Sequence, residues 1–308
     1  MSPLNDRLVD YLRIRRQLGF ELKLAGRTLE DFIAFLEQAG AERITTDLAV
    51  LWARQPVGAS PRYLSLRLGM VRGFARYLAT IDPDSEIPPV DLLPAAVIRS
   101  TPYLYCDREI GELMAVAGAL KPALRGATYR TVIGVMASTG IRIGEALGLG
   151  RRDVDLDDGV LHLRTAKQGK ERDVPLHETT TDALRQYARL RDRNFPRPET
   201  PAFFISSAGV RITTNTFHWN FPRLIGQVEP QDGGQHVHRR PHDLRHTFAV
   251  RTLLNWHRAG ADVDRSMPLL STYLGHVNPA STFWYLQAAP ELMQLVAQRL
   301  DGVLGGQS

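Results

Sequence analysis

The sequence predicts a mostly α-helical chain with one small antiparallel β-sheet, arranged as a helical N-terminal domain and a larger C-terminal one. Three observations carry this reading. Apolar residues recur at helical spacing through most of the 308 residues. One stretch, Val160 to Leu176, alternates with a period of two around Gln168-Gly169, as a β-hairpin does. Five prolines fall between Asp82 and Pro102, where fixed φ angles block helix and favour an extended, semi-rigid spacer. A length of 308 residues also suits two domains at roughly 150 residues each.

Taken in order, residues 1–81 hold four helices. Leu8, Tyr11, Leu12, Ile14 and Leu18 space the first; Leu29, Phe32, Ile33, Phe35 and Leu36 space the second, which ends before Gly40. Thr46-Asp47 precedes a short third helix, Leu48 to Ala53. Ser60-Pro61, an N-cap followed by Pro at the first helical position, starts a long fourth that runs to about Ala79. Residues 82–102 form the proline-rich linker and 103–308 the larger domain. Its helices are expected at Asp107–Ala117, Leu124–Ser138, Ile143–Leu149, Thr179–Arg193, Thr214–Ile225, His242–His257, Pro268–Leu274, Pro279–Leu286 and Glu291–Leu300. Lys167 and Lys170 sit at the hairpin tip.

Composition narrows the function classes. Hydrophobic residues make up 44% and charged residues 23%, which excludes a disordered chain. A single cysteine, Cys106, can form no intrachain disulfide. No apolar run approaches the roughly 18 residues that span a bilayer, and the first residues carry Asp6 and Asp10 in place of a signal-peptide core. A cytoplasmic protein is therefore expected. The net charge is only +5, yet Leu48 to Ile81 holds Arg54, Arg62, Arg67, Arg72 and Arg76 with no acid at all. Such a basic face suits a polyanion, because the arginine fork matches phosphate; a solvated face neutralised from elsewhere in the fold is the alternative.

Chemistry-bearing residues gather in three places. The densest is Gln235 to His246, with His236, His238, His242, His246, Arg239, Arg240 and Arg245. His238, His242 and His246 have the i, i+4 spacing of metal ligands, but no HExxH glutamate is present and three arginines would repel a dication. An anion site is the better reading: His242 and Arg245 project to one side near a helix N-terminus. The second place is Thr139-Gly140-Ile141-Arg142-Ile143-Gly144-Glu145, where Arg142 opens a helix and Glu145 stands three residues on, positioned to brace it. The third is Leu274-Gly275-His276 followed by Phe283-Trp284-Tyr285, in which the tyrosine taken alone reads as a core residue with one satisfied hydroxyl.

Together, the stretches TGIRIGEALGL, AKQGKERDVPL, HDLRHTFAVRTLL and LLSTYLGHVNPASTFWYL resemble the tyrosine recombinase (phage integrase) family, in the manner of an Xer-like site-specific recombinase. The resemblance covers the larger domain, and residues 1–81 look like the family's helical, SAM-like core-binding domain. Tyr285 follows His276 by nine residues, the family's spacing. It implies a site-specific recombinase or integrase that cuts and rejoins DNA through a 3′-phosphotyrosyl intermediate, with no metal, no ATP and no cofactor. Arg142 and Arg245 would grip the scissile phosphate, His276 would donate to it, and His242 would take a proton. Tyr285 would be the nucleophile, Lys167 the general acid (Lys170 being the competing choice), and Glu145 the acidic support of Arg142. Leu286-Gln287 depart from the Thr-His that follows the nucleophile in many relatives, and Asn255–Met267 is longer than in compact Xer-like members.

The same resemblance implies the partners. These are double-stranded DNA bearing a specific recombination site, and a homotetramer on two duplexes with cyclic exchange of the amphipathic C-terminal tail, Glu291–Leu304. A second recombinase or accessory protein is compatible with it; a membrane is not. Arg72 and Arg76, at i and i+4, are candidate phosphate contacts on the N-terminal half of a clamp around the duplex. The expected location is the cytoplasm, at the nucleoid. Two alternatives stay open: a catalytically silent DNA-binding accessory protein of a mobile element, and type IB topoisomerase-like strand relaxation.

Overall fold

The computed structural model describes residues 3–93, 101–164, 171–231, 238–276, 278 and 280–288. The chain divides into two compact units, Met1–Ser100 and Thr101–Ser308. Among the described residues no helix is long and apolar enough to cross a membrane.

The first unit is four helices, α1 (Pro3–Gln17), α2 (Lys23–Gln38), α3 (Thr46–Arg54) and α4 (Pro61–Leu78). Thr45 caps α3 by accepting from Leu48 N, and Ser60 caps α4 by accepting from Tyr63 N, each satisfying a donor that the first helical turn leaves unpaired. Leu8, Leu12, Phe32, Leu36, Trp52, Val71, Phe74 and Leu78 are buried together, and each large apolar side chain so buried contributes roughly 1.5–3 kcal/mol.

The basic stretch of this unit is less of a surface than its charge suggests. Arg67 is buried, its guanidinium 3.8 Å over the Trp52 ring and donating to the Trp52 carbonyl and to Asp31. Arg72 donates to the carbonyls of Pro88 (2.7 Å), Pro89 (2.6 Å) and Val90 (3.3 Å). Arg54, Arg62 and Arg76 are exposed. The start of the proline-rich segment also packs on this unit: Ser85 is buried, Glu86 N donates to Ile44 O, and Leu93 joins the core.

The second unit confirms the mostly α class with one small sheet. It contains α5 (Asp107–Gly118), α6 (Ala123–Thr139), α7 (Ile143–Gly148), β1 (Val154–Asp155), β2 (Val160–Arg164), β3 (Glu171–Pro175), α8 (Glu178–Asn194), α9 (Thr214–Ile225), α10 (Pro241–Arg258), α11 (Val263–Leu274) and α12 (Ala280–Ala288). The strands are antiparallel in the order β1-β2-β3, with Leu161 opposite Val174 and Leu163 opposite Arg172. Helix α6 is buried along most of its length, with Tyr129, Val132, Ile133, Val135 and Met136 in the core, and its end at Gly140 delivers the chain into the candidate site.

Two elements differ from the sequence reading. The two-residue β1 was not expected; a pair of residues shows no period of its own. Helix α11 begins at Val263, five residues before Pro268, because Asp262 accepts from Arg265 N as an N-cap and Pro268 is carried inside the helix. The longer 255–267 stretch is thus the end of α10, a turn through Gly260 at φ +71°, and the first turn of α11. The hairpin tip with Lys167 and Lys170, and the tail from Glu291 to Leu304, lie outside the described residues.

Candidate active site

Four backbone features aim side chains at one place. Gly140 closes α6 in the left-handed region (φ +65°), and a Cβ there would stand 2.5 Å from Phe248 Cδ1, so only glycine lets the chain turn this close to α10. Arg142 follows as the N-cap of α7; Glu145 returns one carboxylate oxygen to Arg142 N (2.8 Å) and the other to Arg142 Nη1 (2.9 Å). Pro241 opens α10, and Asp243, fully buried, accepts from Arg240 N (2.7 Å), which fixes the turn that presents His242 and Arg245. Gly275 ends α11 at φ +65° and turns the chain into His276.

Arg245 is 1% exposed and donates to the carbonyls of Gly140 (2.9 Å) and Leu274 (2.6 Å). Arg142 reaches the same turn, donating to Gly275 O (3.1 Å), and remains partly open to solvent. Burial, then the nearby Arg142 charge, pushes the Arg245 guanidinium down to about 10, with Tyr285 and Glu145 opposing, so it stays cationic at neutral pH. Two fixed guanidiniums in one place, one of them out of water, form a site for a doubly contacted anion.

Tyr285, on α12, is 2% exposed and lies in the same chain beside Arg245. Burial raises its phenol, while the charge and hydrogen bonding of Arg245 and the charge of Arg142 pull it back down. Its ring packs near His276 (6.0 Å between centroids), His246 (5.4 Å) and Trp284 (5.6 Å). His276 Nδ1 shares a 2.6 Å hydrogen bond with Thr282 Oγ1, itself buried.

All three imidazoles are held below their ordinary range. Burial leads in each case. For His276 the charges of Arg245 and Arg142 add to it and the value is about 4. For His246 it is about 3. His242 keeps an exposed face but is otherwise walled in by protein, and Arg245, Arg142 and Arg240 add to that desolvation to bring it to about 4. A native state that binds fewer protons than the unfolded chain loses stability as they titrate. The contribution is present above the unfolded value of about 6.5 and is lost as pH falls toward about 4 for His242 and His276 and about 3 for His246. The melting temperature should therefore drop on acidification across that window, and His246→Phe should flatten the drop. Equal slopes for the two proteins would contradict the assignment.

Arg142, Glu145, His242, Arg245, His276 and Tyr285 thus meet in one place; Arg72 and Arg76 belong to the other unit, and Lys167 is outside the described residues. Among the described residues no group of three His, Cys, Asp or Glu is arranged to hold a metal. Sequence reasoning passed over two members of the cluster. His246 reads in sequence as a candidate ligand or a stabilising histidine; its Nδ1 is buried with no hydrogen-bond partner among the described residues, edge-on to His242 (4.6 Å). Arg172, on β3, donates to Glu145 Oε2 (2.9 Å) and to Tyr273 O (2.8 Å). Its signal was the strand alternation, which puts it on the same inward face as the buried Val174.

Residues 107–291 match the model of the phage integrase family. The chain is 41% identical over 307 residues to a Sinorhizobium fredii protein provisionally named integrase/recombinase y4rB, covering 98% of each. It is 30% identical over 282 residues to tyrosine recombinase XerC of Pseudomonas entomophila, covering 89% of this chain and 88% of that one. Among solved structures, that of the Tn1549 transposon integrase in complex with transposon right end DNA is similar in fold, with a TM-score of 0.67 at 19% identity over 97% of this chain and 99% of the other.

Proposed function

The chain belongs to the phage integrase family, the tyrosine recombinases, and from that premise we propose that it carries out site-specific recombination by attack of the Tyr285 phenol on a DNA phosphate. One observation carries the reading: the Arg142 and Arg245 guanidiniums are held by the adjacent carbonyls of Gly275 and Leu274, with the Tyr285 ring beside them in the same chain.

The step balances without a metal. Tyr285 Oη bonds to phosphorus, the bond to the 5′-oxygen breaks, and a 3′-phosphotyrosyl link and a 5′-hydroxyl result. Charge accumulates on the two non-bridging oxygens in the transition state, and cations already fixed there stabilise it more than the ground state. His276 donates from Nε2 when the Thr282 hydroxyl donates to its Nδ1, and His242, neutral at working pH, accepts the phenol proton. Lys167 protonates the leaving 5′-oxygen. The phosphotyrosyl bond conserves the phosphodiester, so rejoining needs no ATP and no cofactor. Two duplexes need four such cuts, which calls for a homotetramer with the C-terminal tails exchanged around the ring. On the N-terminal domain, residues 1–81, Arg76 carries the proposed phosphate contact; Arg72 joins it only by exchanging its carbonyl bonds for phosphate. Such an enzyme works in the cytoplasm, at the nucleoid.

The test is a nicked duplex built from the inverted repeats flanking the gene, incubated with the protein in EDTA. A protein–DNA adduct that survives denaturation and carries a label placed on the 5′ side of the break, in the fragment whose 3′ end the tyrosine holds, is the expected result. Strand nicking without an adduct, or an adduct lost in EDTA, would overturn the mechanism. Relaxation of plasmids lacking any repeat would favour topoisomerase-like chemistry, and binding with no cleavage the silent accessory role.

A further inference from the structure

The end of α11 offers three consecutive carbonyls, and each accepts from a different arginine. Tyr273 O takes Arg172 Nε (2.8 Å), Leu274 O takes Arg245 Nη2 (2.6 Å) and Gly275 O takes Arg142 Nη2 (3.1 Å). The arginines come from β3, α10 and the turn before α7. A helix C-terminus carries unpaired carbonyls and partial negative charge, so it gathers cations. Two of these three arginines belong to the proposed phosphate grip; the third has no role in the scheme above.

The third is built in as firmly as the others. The Arg172 side chain is 12% exposed and Glu145, which it contacts, is 10% exposed. Glu145 lies between two guanidiniums, taking Arg172 Nη2 on one oxygen and Arg142 Nη1 on the other. Gly275 is shaped around it: a Cβ there would stand 2.5 Å from Arg172 Nη1. With its donors turned to Tyr273 O and Glu145, Arg172 acts on the site through its neighbours.

We propose that Arg172 is a positioning residue for DNA cleavage, which through Glu145 and the 273–275 carbonyls fixes the direction of the Arg142 guanidinium and the seat of His276. This rests on the recombinase reading above. Removing Arg172 would leave the buried Glu145 with Arg142 as its one hydrogen-bonded cation among the described residues. Burial raises that carboxyl, and at present the hydrogen bond and charge of Arg172, with the N–H and charge of Arg142, outweigh it. Glu145 is held by Arg142 at the start of α7 and by Arg172 on β3, and Asp153, His162 and Arg164 line a pocket with it; His242 and Arg245 on α10 feel its charge, and His276 feels that of Arg172. Without Arg172 the carboxyl therefore titrates at higher pH, and once protonated it no longer holds Arg142.

The experiment is single-turnover adduct formation on the nicked duplex from about pH 3.5 to about pH 8, a range that takes in an acid limb set by imidazoles held at about 4. It compares wild type, Arg172→Met, Arg172→Lys and the double variant Arg172→Met/Glu145→Gln, with DNA affinity and melting temperature measured alongside. Arg172→Met should slow cleavage on the order of 10- to 100-fold with DNA affinity little changed, and its acid limb should move to higher pH. Arg172→Lys, which keeps the charge but not the two-pointed fork, should fall between. In the double variant the displaced limb should vanish, leaving the titration of the imidazoles. A wild-type rate and limb in Arg172→Met would overturn the proposal, as would a loss equal at every pH, the mark of a mere brace. If Arg172→Met does not fold, Arg172→Lys decides alone: a slowed rate with a raised limb sustains the proposal, and wild-type behaviour ends it. Absence of an adduct in the wild type would instead sink the recombinase reading.

Discussion

Replacing Tyr285 with phenylalanine is expected to abolish the covalent protein–DNA adduct while leaving fold and DNA binding in place. The phenol is the attacking atom in the proposed step, so adduct formation should fall by at least about 10⁴-fold, the scale seen when a nucleophile is deleted. The ring itself contributes through its packing on His246, Trp284 and His276, all of which a phenylalanine keeps. What is lost is one hydroxyl hydrogen-bonded to the Arg245 cation, a net contribution of about 1.5–3 kcal/mol, partly offset by no longer burying a polar group. The melting temperature should shift by no more than about 6 °C. An adduct in the Tyr285→Phe protein would mean that another side chain attacks. Loss of the adduct together with a collapsed melting temperature would mean that the ring, not the oxygen, was being tested.

The second large effect is expected at Arg245, where charge and architecture are the same side chain. Arg245→Lys keeps a cation but gives up the planar fork that holds Gly140 O and Leu274 O together. Cleavage should fall by about 10²- to 10³-fold, the effect of removing one donor from a preorganised site, with a modest change in stability. Arg245→Ala leaves both carbonyls without a donor in a dry interior and opens a void. That should cost roughly 3–5 kcal/mol and lower the melting temperature by about 10 °C, with no detectable cleavage. The two variants together separate the roles: wild-type cleavage by Arg245→Lys would remove Arg245 from the phosphate grip, whatever Arg245→Ala does to the fold.

Much of this was legible in the sequence because it rests on local signals. Helical spacing located α1 to α4, the Ser60-Pro61 pair fixed the start of α4, and Thr139-Gly140 marked the turn that brings Arg142 against α10. The roles of Arg142, Arg245, His276 and Tyr285 could be read only together, through the order and spacing of motifs that resemble those of the tyrosine recombinases; taken alone, Tyr285 reads as a core residue. What stayed hidden depends on non-local packing. Pro268 looks like a helix start in one dimension, but Asp262 caps α11 a turn earlier. Arg67 counts as surface charge until Trp52 is found beneath it. Arg172 is one more basic residue in a hairpin until β3 is seen to turn it inward, toward a carboxylate 27 positions away in the chain.

The burial of Arg67 and the tethering of Arg72 have a consequence for the ionic cost of meeting a polyanion. The stretch from Leu48 to Ile81 counts five guanidiniums in composition, yet only Arg54, Arg62 and Arg76 stand exposed. Each phosphate neutralised expels about one condensed counterion from the duplex. The salt sensitivity this stretch would contribute is therefore that of a three-charge surface, with a fourth only where Arg72 gives up its carbonyls, while Arg67 ties α4 to α2 and α3.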